Sequence, residues 1–174
     1  FVVSVEPNPE VIPVLRRNLR VNRVSSAVYE CALGPAEGAG RLVMPVGSEH
    51  NVGMARVEAT GDATEGVGRV RIRTLDGVLA EARQAQGLYG GVLLVKIDVE
   101  GAELDVLKGA RETLSRDRPH LLVEAATVDR QQQLADYLAG FGYRNLSRWS
   151  NTPVFHYAFR PSAYLKTRVW AYRT

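Results

Sequence analysis

The chain has 174 residues, 45% of them hydrophobic, which is enough for one domain with a buried core. The formal charge is +3, and of 22 basic residues all but Lys96, Lys108 and Lys166 are arginines, scattered as on a solvated surface rather than gathered as a nucleic-acid footprint. No apolar run reaches the length of a membrane span, and the single Cys31 excludes an internal disulfide framework and fits a reducing, cytoplasmic compartment.

Strand-like and helix-like segments alternate, so the expected class is α/β with a largely parallel sheet. Phe1–Val5 reads as a buried strand with Glu6 at its C-terminal end. An acidic residue there can accept hydrogen bonds from both hydroxyls of a ribose, or merely stabilise the start of the next helix. A strand and a glycine-rich turn are expected upstream of such a residue, so the chain reads as a fragment. Asn8 is placed to cap a helix with Pro9 at its first position, and Val11, Leu15 and Leu19 recur at a spacing of four. Pro13 lacks an N–H and predicts an irregular first turn.

A short strand is expected at Ala27–Ala32, then strands at Gly40–Val46 and Gly68–Arg73 around a polar, glycine-dotted stretch, 47–67, read as a loop or lid. Thr74 starts a helix to about Gln84, and Val92–Asp98 is apolar at nearly every position, as in a central parallel strand. One helix is predicted from Ala102 to Ser115, a strand at Pro119–Glu124, and a helix capped by Asp129 and closed by Gly142. Tyr143–Ser147 and Val154–Phe159 read as a terminal β-pair, and residues 161–174 as a basic tail after a domain spanning 1–160.

The richest chemistry lies in Lys96-Ile97-Asp98-Val99-Glu100-Gly101-Ala102-Glu103. Ligands of open α/β sheets bind beyond the carboxyl ends of strands, where Asp98 and Glu100 would sit. Glu103 is explained well enough as a complement to a helix N-terminus. Asp98 is not, since a carboxylate closing an apolar strand needs a partner. Glu124, ending the next strand, either faces the same crevice or pairs with an arginine. His50 lies in polar surroundings and is a general-base candidate, whereas His120 and His156 fall in strand patterns and read as structural. Met44 and Met54 read as packing residues. There is no GxxxxGK[ST], GxGxxG between strand and helix, GxSxG, HExxH or CxxC, which removes the corresponding nucleotide, hydrolase and zinc classes.

Several blocks taken together resemble the FkbM family of S-adenosylmethionine-dependent methyltransferases. They are Glu6-Pro7-Asn8-Pro9, Leu15-Arg16-Arg17-Asn18-Leu19 with Asn22, Cys31-Ala32-Leu33-Gly34, Thr74-Leu75-Asp76, the Lys96–Glu103 block, Val106-Leu107-Lys108-Gly109-Ala110, and Arg118-Pro119 leading to Glu124. They occur in the family's order over about residues 1–125. The resemblance implies a Rossmann-like methyltransferase sheet, mostly parallel with an antiparallel C-terminal edge pair, here without its first strand and glycine-rich turn. It implies S-adenosyl-L-methionine as cofactor and methyl transfer to a hydroxyl of a small molecule, sugar, glycan or polyketide-like product. By position, Glu6 and Asn8 fall at the adenosyl ribose, Ala32 and Leu33 where adenine packs, and Asp98 and Glu100 near methyl donor and acceptor. Asn51 and Gly53 match a variable N-x-G segment near that pocket.

In such a reaction a base takes the hydroxyl proton as oxygen attacks the methyl in line, and Asp98, Glu100 and His50 are the candidates. Two rivals differ in class. One is a metal-dependent sugar-nucleotide transferase using Asp98-Val99-Glu100 as a cation site. The other is a non-catalytic methyltransferase-like module.

Overall fold

The computed structural model of the chain describes residues 1–43, 55–59, 68–149 and 153–159. These form two compact units, one from Phe1–Gly90 with Val99–Arg111, the other from Gly91–Asp98 and the residues from Glu112 onward.

The first unit opens with β1 (Val2–Val5), α1 (Ile12–Val21) and β2 (Ser26–Tyr29), and β1 pairs with β2 in parallel, Val2 opposite Ser26 and Val5 opposite Tyr29. The helix starts later than its sequence suggests. Asn8 organises an entry turn, its carbonyl accepting the N–H groups of Val11 and Ile12, and Pro13 occupies the first helical turn, where no N–H is needed. The awkward proline is the start signal.

A four-stranded mixed sheet follows, in the order β3 (Ala32–Leu33), β6 (Arg69–Arg73), β4 (Gly38–Val43), β5 (Arg56–Ala59). Only β3 and β6 run parallel, and Ala32, Val70 and Ile72 form its buried core with Leu42 and Val57 against them. The predicted strand at Ala27–Ala32 is therefore two strands in different sheets. β5 lies inside the stretch read as a loop, because four residues of alternation are too short a signal among so many polar neighbours.

Thr74 caps α2 (Leu75–Gln86), its side chain accepting the Gly77 N–H at 3.1 Å, and Gly87 ends the helix with φ +62°. The expected single helix at 102–115 is broken into α3 (Glu103–Lys108) and α4 (Arg111–Arg116). The break is at Gly109, whose backbone lies against the Gly34 carbonyl. A Cβ there would overlap that oxygen and come within 3.4 Å of Thr74 Cα, and the Gly109 carbonyl accepts the Asp76 N–H. Three of the sequence blocks, Cys31–Gly34, Thr74–Asp76 and Val106–Ala110, thus meet at one backbone joint.

The second unit is a four-stranded sheet in the order β7 (Leu94–Ile97), β8 (His120–Glu124), β10 (Val154–Ala158), β9 (Arg144–Trp149). β7 and β8 are parallel, while β10 runs antiparallel to both β8 and β9, so the terminal β-pair is present. Leu121, Val123, Phe155 and Tyr157 are buried with Leu134 and Leu138 of α5 (Val128–Ala139), a helix capped by Thr127 rather than Asp129. β7 is less enclosed than its apolar sequence predicts: Leu93 is 83% and Leu94 54% exposed, and among the described residues β7 pairs only with β8.

Candidate functional site

In the first unit the strand-end carboxylate is held in place by local backbone geometry. The Glu6 N–H donates to the Tyr29 carbonyl, extending the β1–β2 ladder by one residue, so the side chain leaves from the tip of β1. Glu6 Oε1 accepts the Asn8 N–H at 2.7 Å. Asn8 is buried, 4% exposed, and its Oδ1 accepts the Glu10 N–H at 3.0 Å. The Pro7-Asn8-Pro9 segment therefore builds a tight side-chain-stabilised turn that fixes one Glu6 oxygen. Oε2 has no partner among the described residues. A carboxylate with one oxygen anchored and the other open can take a hydroxyl pair without reorganising.

Ala32 and Leu33 differ in availability. Ala32 is buried in the sheet core, whereas Leu33 is half-buried beside Arg73, its register partner. Arg73 is clamped there by Glu81, Nη1 to Oε2 at 2.7 Å, with Glu37 near its Nε and the Tyr29 ring 6.0 Å below its guanidinium. Burial raises the Cys31 thiol above its ordinary value, against the pull of Arg73 and Arg71, so it stays a protonated core residue.

The Lys96–Glu103 block divides between the units. In the second, Lys96 Nζ donates to Asp98 Oδ2 at 2.6 Å, because residues two apart on a strand point to the same face. Burial works against the charged form of Asp98. The hydrogen bond from Lys96, a further one with Glu124 and the ammonium charge outweigh it and hold the carboxyl below its usual range. Asp98 is less desolvated than expected of a carboxylate closing an apolar strand: its side chain is 40% exposed, and Lys96 is its partner. Glu124 is at the neighbouring strand end, one step past the Ile97–Val123 register pair, and interacts with Asp98. The same-face spacing of Lys96 and Asp98 was the signal that could have found the pair.

In the first unit Glu100 adopts φ +49° and Gly101 φ +104°, a sharp turn into α3. Glu103 is buried and its Oε1 accepts the Gly101 N–H at 2.8 Å, so it braces that turn from inside. Glu100 is exposed and held in a left-handed conformation that costs a non-glycine residue about 1 kcal/mol or more. His50, Asn51 and Gly53 lie outside the described residues, as does the 161–174 tail. Among the described residues no three His, Cys, Asp or Glu side chains gather as a metal-binding group, and no helix is long and apolar enough to cross a membrane.

Residues 1–145 match the model of the Methyltransferase FkbM domain. The fold is similar to the crystal structure of Methyltransferase FkbM from Methylobacillus flagellatus KT, with a TM-score of 0.59 and 18% identity over 90% of this chain. The chain spans 36% of the length of that protein. No curated protein matches.

Proposed function

The chain belongs to the FkbM methyltransferase family, and on that premise we propose that it serves methyl transfer from S-adenosyl-L-methionine to a hydroxyl of a sugar, glycan or polyketide-like small molecule. The observation that carries this reading is the Glu6 carboxylate, fixed at the tip of β1 through Asn8 with one oxygen open. That is the donor-free, charged acceptor an adenosyl ribose needs, so the residues present fit the cofactor. The parallel β1–β2 and β7–β8 pairs and the antiparallel β9–β10 pair support a Rossmann-like methyltransferase sheet.

When bound, the cofactor supplies a methyl group made electrophilic by its sulfonium. In this proposal Glu6 accepts the ribose hydroxyls, and Asn8 acts through Glu6 as a positioning residue. Leu33 offers apolar surface to adenine with Ala32 packed behind it. Asp98 and Glu100 serve the reacting end, His50 remaining a candidate base. Asp98 is held ionised by Lys96, which makes it a weak base but a good acceptor for orienting a hydroxyl. Glu100, exposed at the turn into α3, is the second carboxylate proposed for that end.

Release of S-adenosylhomocysteine from the full-length natural protein, supplied with methyl donor and a panel of saccharide and polyol acceptors, tests the reading. Acceptor-dependent release that survives a chelator supports it. A product that forms only with a sugar nucleotide and a divalent cation would replace it with the glycosyl-transfer alternative.

A further inference from the structure

The α1 helix of the first unit carries Arg16, Arg17 and Arg20, with Arg23 just beyond its end, and no acidic residue. Arg16 is neutralised across the unit by Glu30, Nη2 to Oε1 at 2.8 Å. The guanidinium groups of Arg17, Arg20 and Arg23 have no partner among the described residues, although all three are exposed. Arg20 and Arg23 complement the negative C-terminal end of the helix. Arg17, in mid-helix, has no such account.

Helical spacing sets Arg17 between two other exposed residues. Val14, Arg17 and Val21 follow one another at intervals of three and four along one stripe, Arg20 beside it, on the side away from the buried Ile12. Val14 is 57% and Val21 68% exposed. Arginine is enriched at protein-binding surfaces, and the two exposed valines add apolar area beside it.

We infer that this outward face of α1 docks an acidic helical segment of a protein partner, whose carboxylates meet Arg17 and Arg20 while its aliphatic side chains cover Val14 and Val21. Charge complementarity chooses the sign of the partner, and the valines choose its class. A phosphate backbone offers them nothing, and two valines without Trp, Phe or Leu give too little apolar surface to hold a helix in acyl chains. The inference concerns a surface and does not depend on the methyl-transfer reading.

The test is fluorescence anisotropy with a labelled, helix-stabilised Glu/Leu peptide titrated into the full chain at low and physiological salt. Arg17→Glu with Arg20→Glu should weaken binding at least tenfold, and Val14→Ser with Val21→Ser at least threefold, while Arg16→Ala leaves it unchanged. Circular dichroism and melting confirm that each variant is folded, and Arg17→Ala with Arg20→Ala replaces the charge reversal if that variant is not. Absence of peptide binding, or binding indifferent to these substitutions, overturns the inference. So does tighter α1-dependent binding of a single-stranded oligonucleotide or of phosphatidylserine vesicles than of the peptide.

Discussion

Replacing Gly109 with alanine probes the joint at which three of the family's sequence blocks meet. The Gly109 backbone is buried against the Gly34 carbonyl, and the added methyl would overlap an oxygen fixed in backbone rather than the end of a movable side chain. Backbone torsion is not the obstacle, since Gly109 has φ −82°, which alanine adopts freely. Overpacking of a rigid site costs about 1–3 kcal/mol, and alanine's better helix propensity returns less than about 1 kcal/mol at a helix end. A net loss of about 2 kcal/mol follows, equivalent to a melting temperature lower by about 4–8 °C for a chain of this size. Urea denaturation gives the stability, and two other glycines serve as controls. Gly90→Ala meets nothing within 4 Å and should change stability by less than about 0.5 kcal/mol. Gly87→Ala also has free space but sits at φ +62°, so it should lose about 1 kcal/mol through torsion alone. Gly109→Ala as stable as the unaltered chain, or less damaging than Gly87→Ala, would refute the close approach.

Thr74→Ala removes the acceptor for the Gly77 N–H and should cost about 1 kcal/mol in the same denaturation assay, with Thr74→Ser restoring most of it. Tyr143 has a buried hydroxyl without a partner among the described residues, and burial pushes its ionisation up to about 12. Tyr143→Phe should therefore be neutral or stabilising by up to about 1 kcal/mol, and ultraviolet titration should show one fewer tyrosine ionising at the alkaline end. Burial also lowers His120 and His156, which share a 3.0 Å Nδ1–Nε2 contact, below their ordinary value. A depressed folded value means that the unfolded chain takes up these protons first. Their stabilisation is complete above about pH 6.5 and is lost as the pH falls through the folded values. Denaturation at pH 7.5 and pH 5 should differ accordingly, and His156→Phe should flatten the difference; an unchanged slope would contradict the assignment. Asp98, also depressed, acts only at lower pH, near and below the usual carboxylate range.

The order of elements was legible because each strand and helix carried its own period. The apolar run before Asp98, the Thr74 start and the Gly142 stop are local signals, and local physics decides them. The joints were not legible in the same way. Gly109 falls inside the single helix predicted from Ala102 to Ser115, since nothing nearby in sequence says that the Gly34 carbonyl will press on it. Exposure at Leu93 and Leu94 depends on which strand lies alongside, a non-local fact that apolar composition does not contain. At the candidate site, the placement of Glu6 and Asp98 at strand ends followed from pattern. The restraint of Glu6 by Asn8 and of Asp98 by Lys96 needed the turn and the shared strand face to be seen in three dimensions.

The central claim concerns Glu6, and calorimetric titration of S-adenosyl-L-methionine into the full-length natural protein, unaltered and as Glu6→Gln, tests it most directly. Glutamine keeps an oxygen for the Asn8 N–H while removing the charge presented to the ribose, so folding should be unaffected. Loss of a hydrogen bond to a charged group is worth about 1.5–3 kcal/mol, which predicts binding about tenfold to a hundredfold weaker in the variant. Equal affinity in the two proteins, or no binding to a folded unaltered one, would contradict the account.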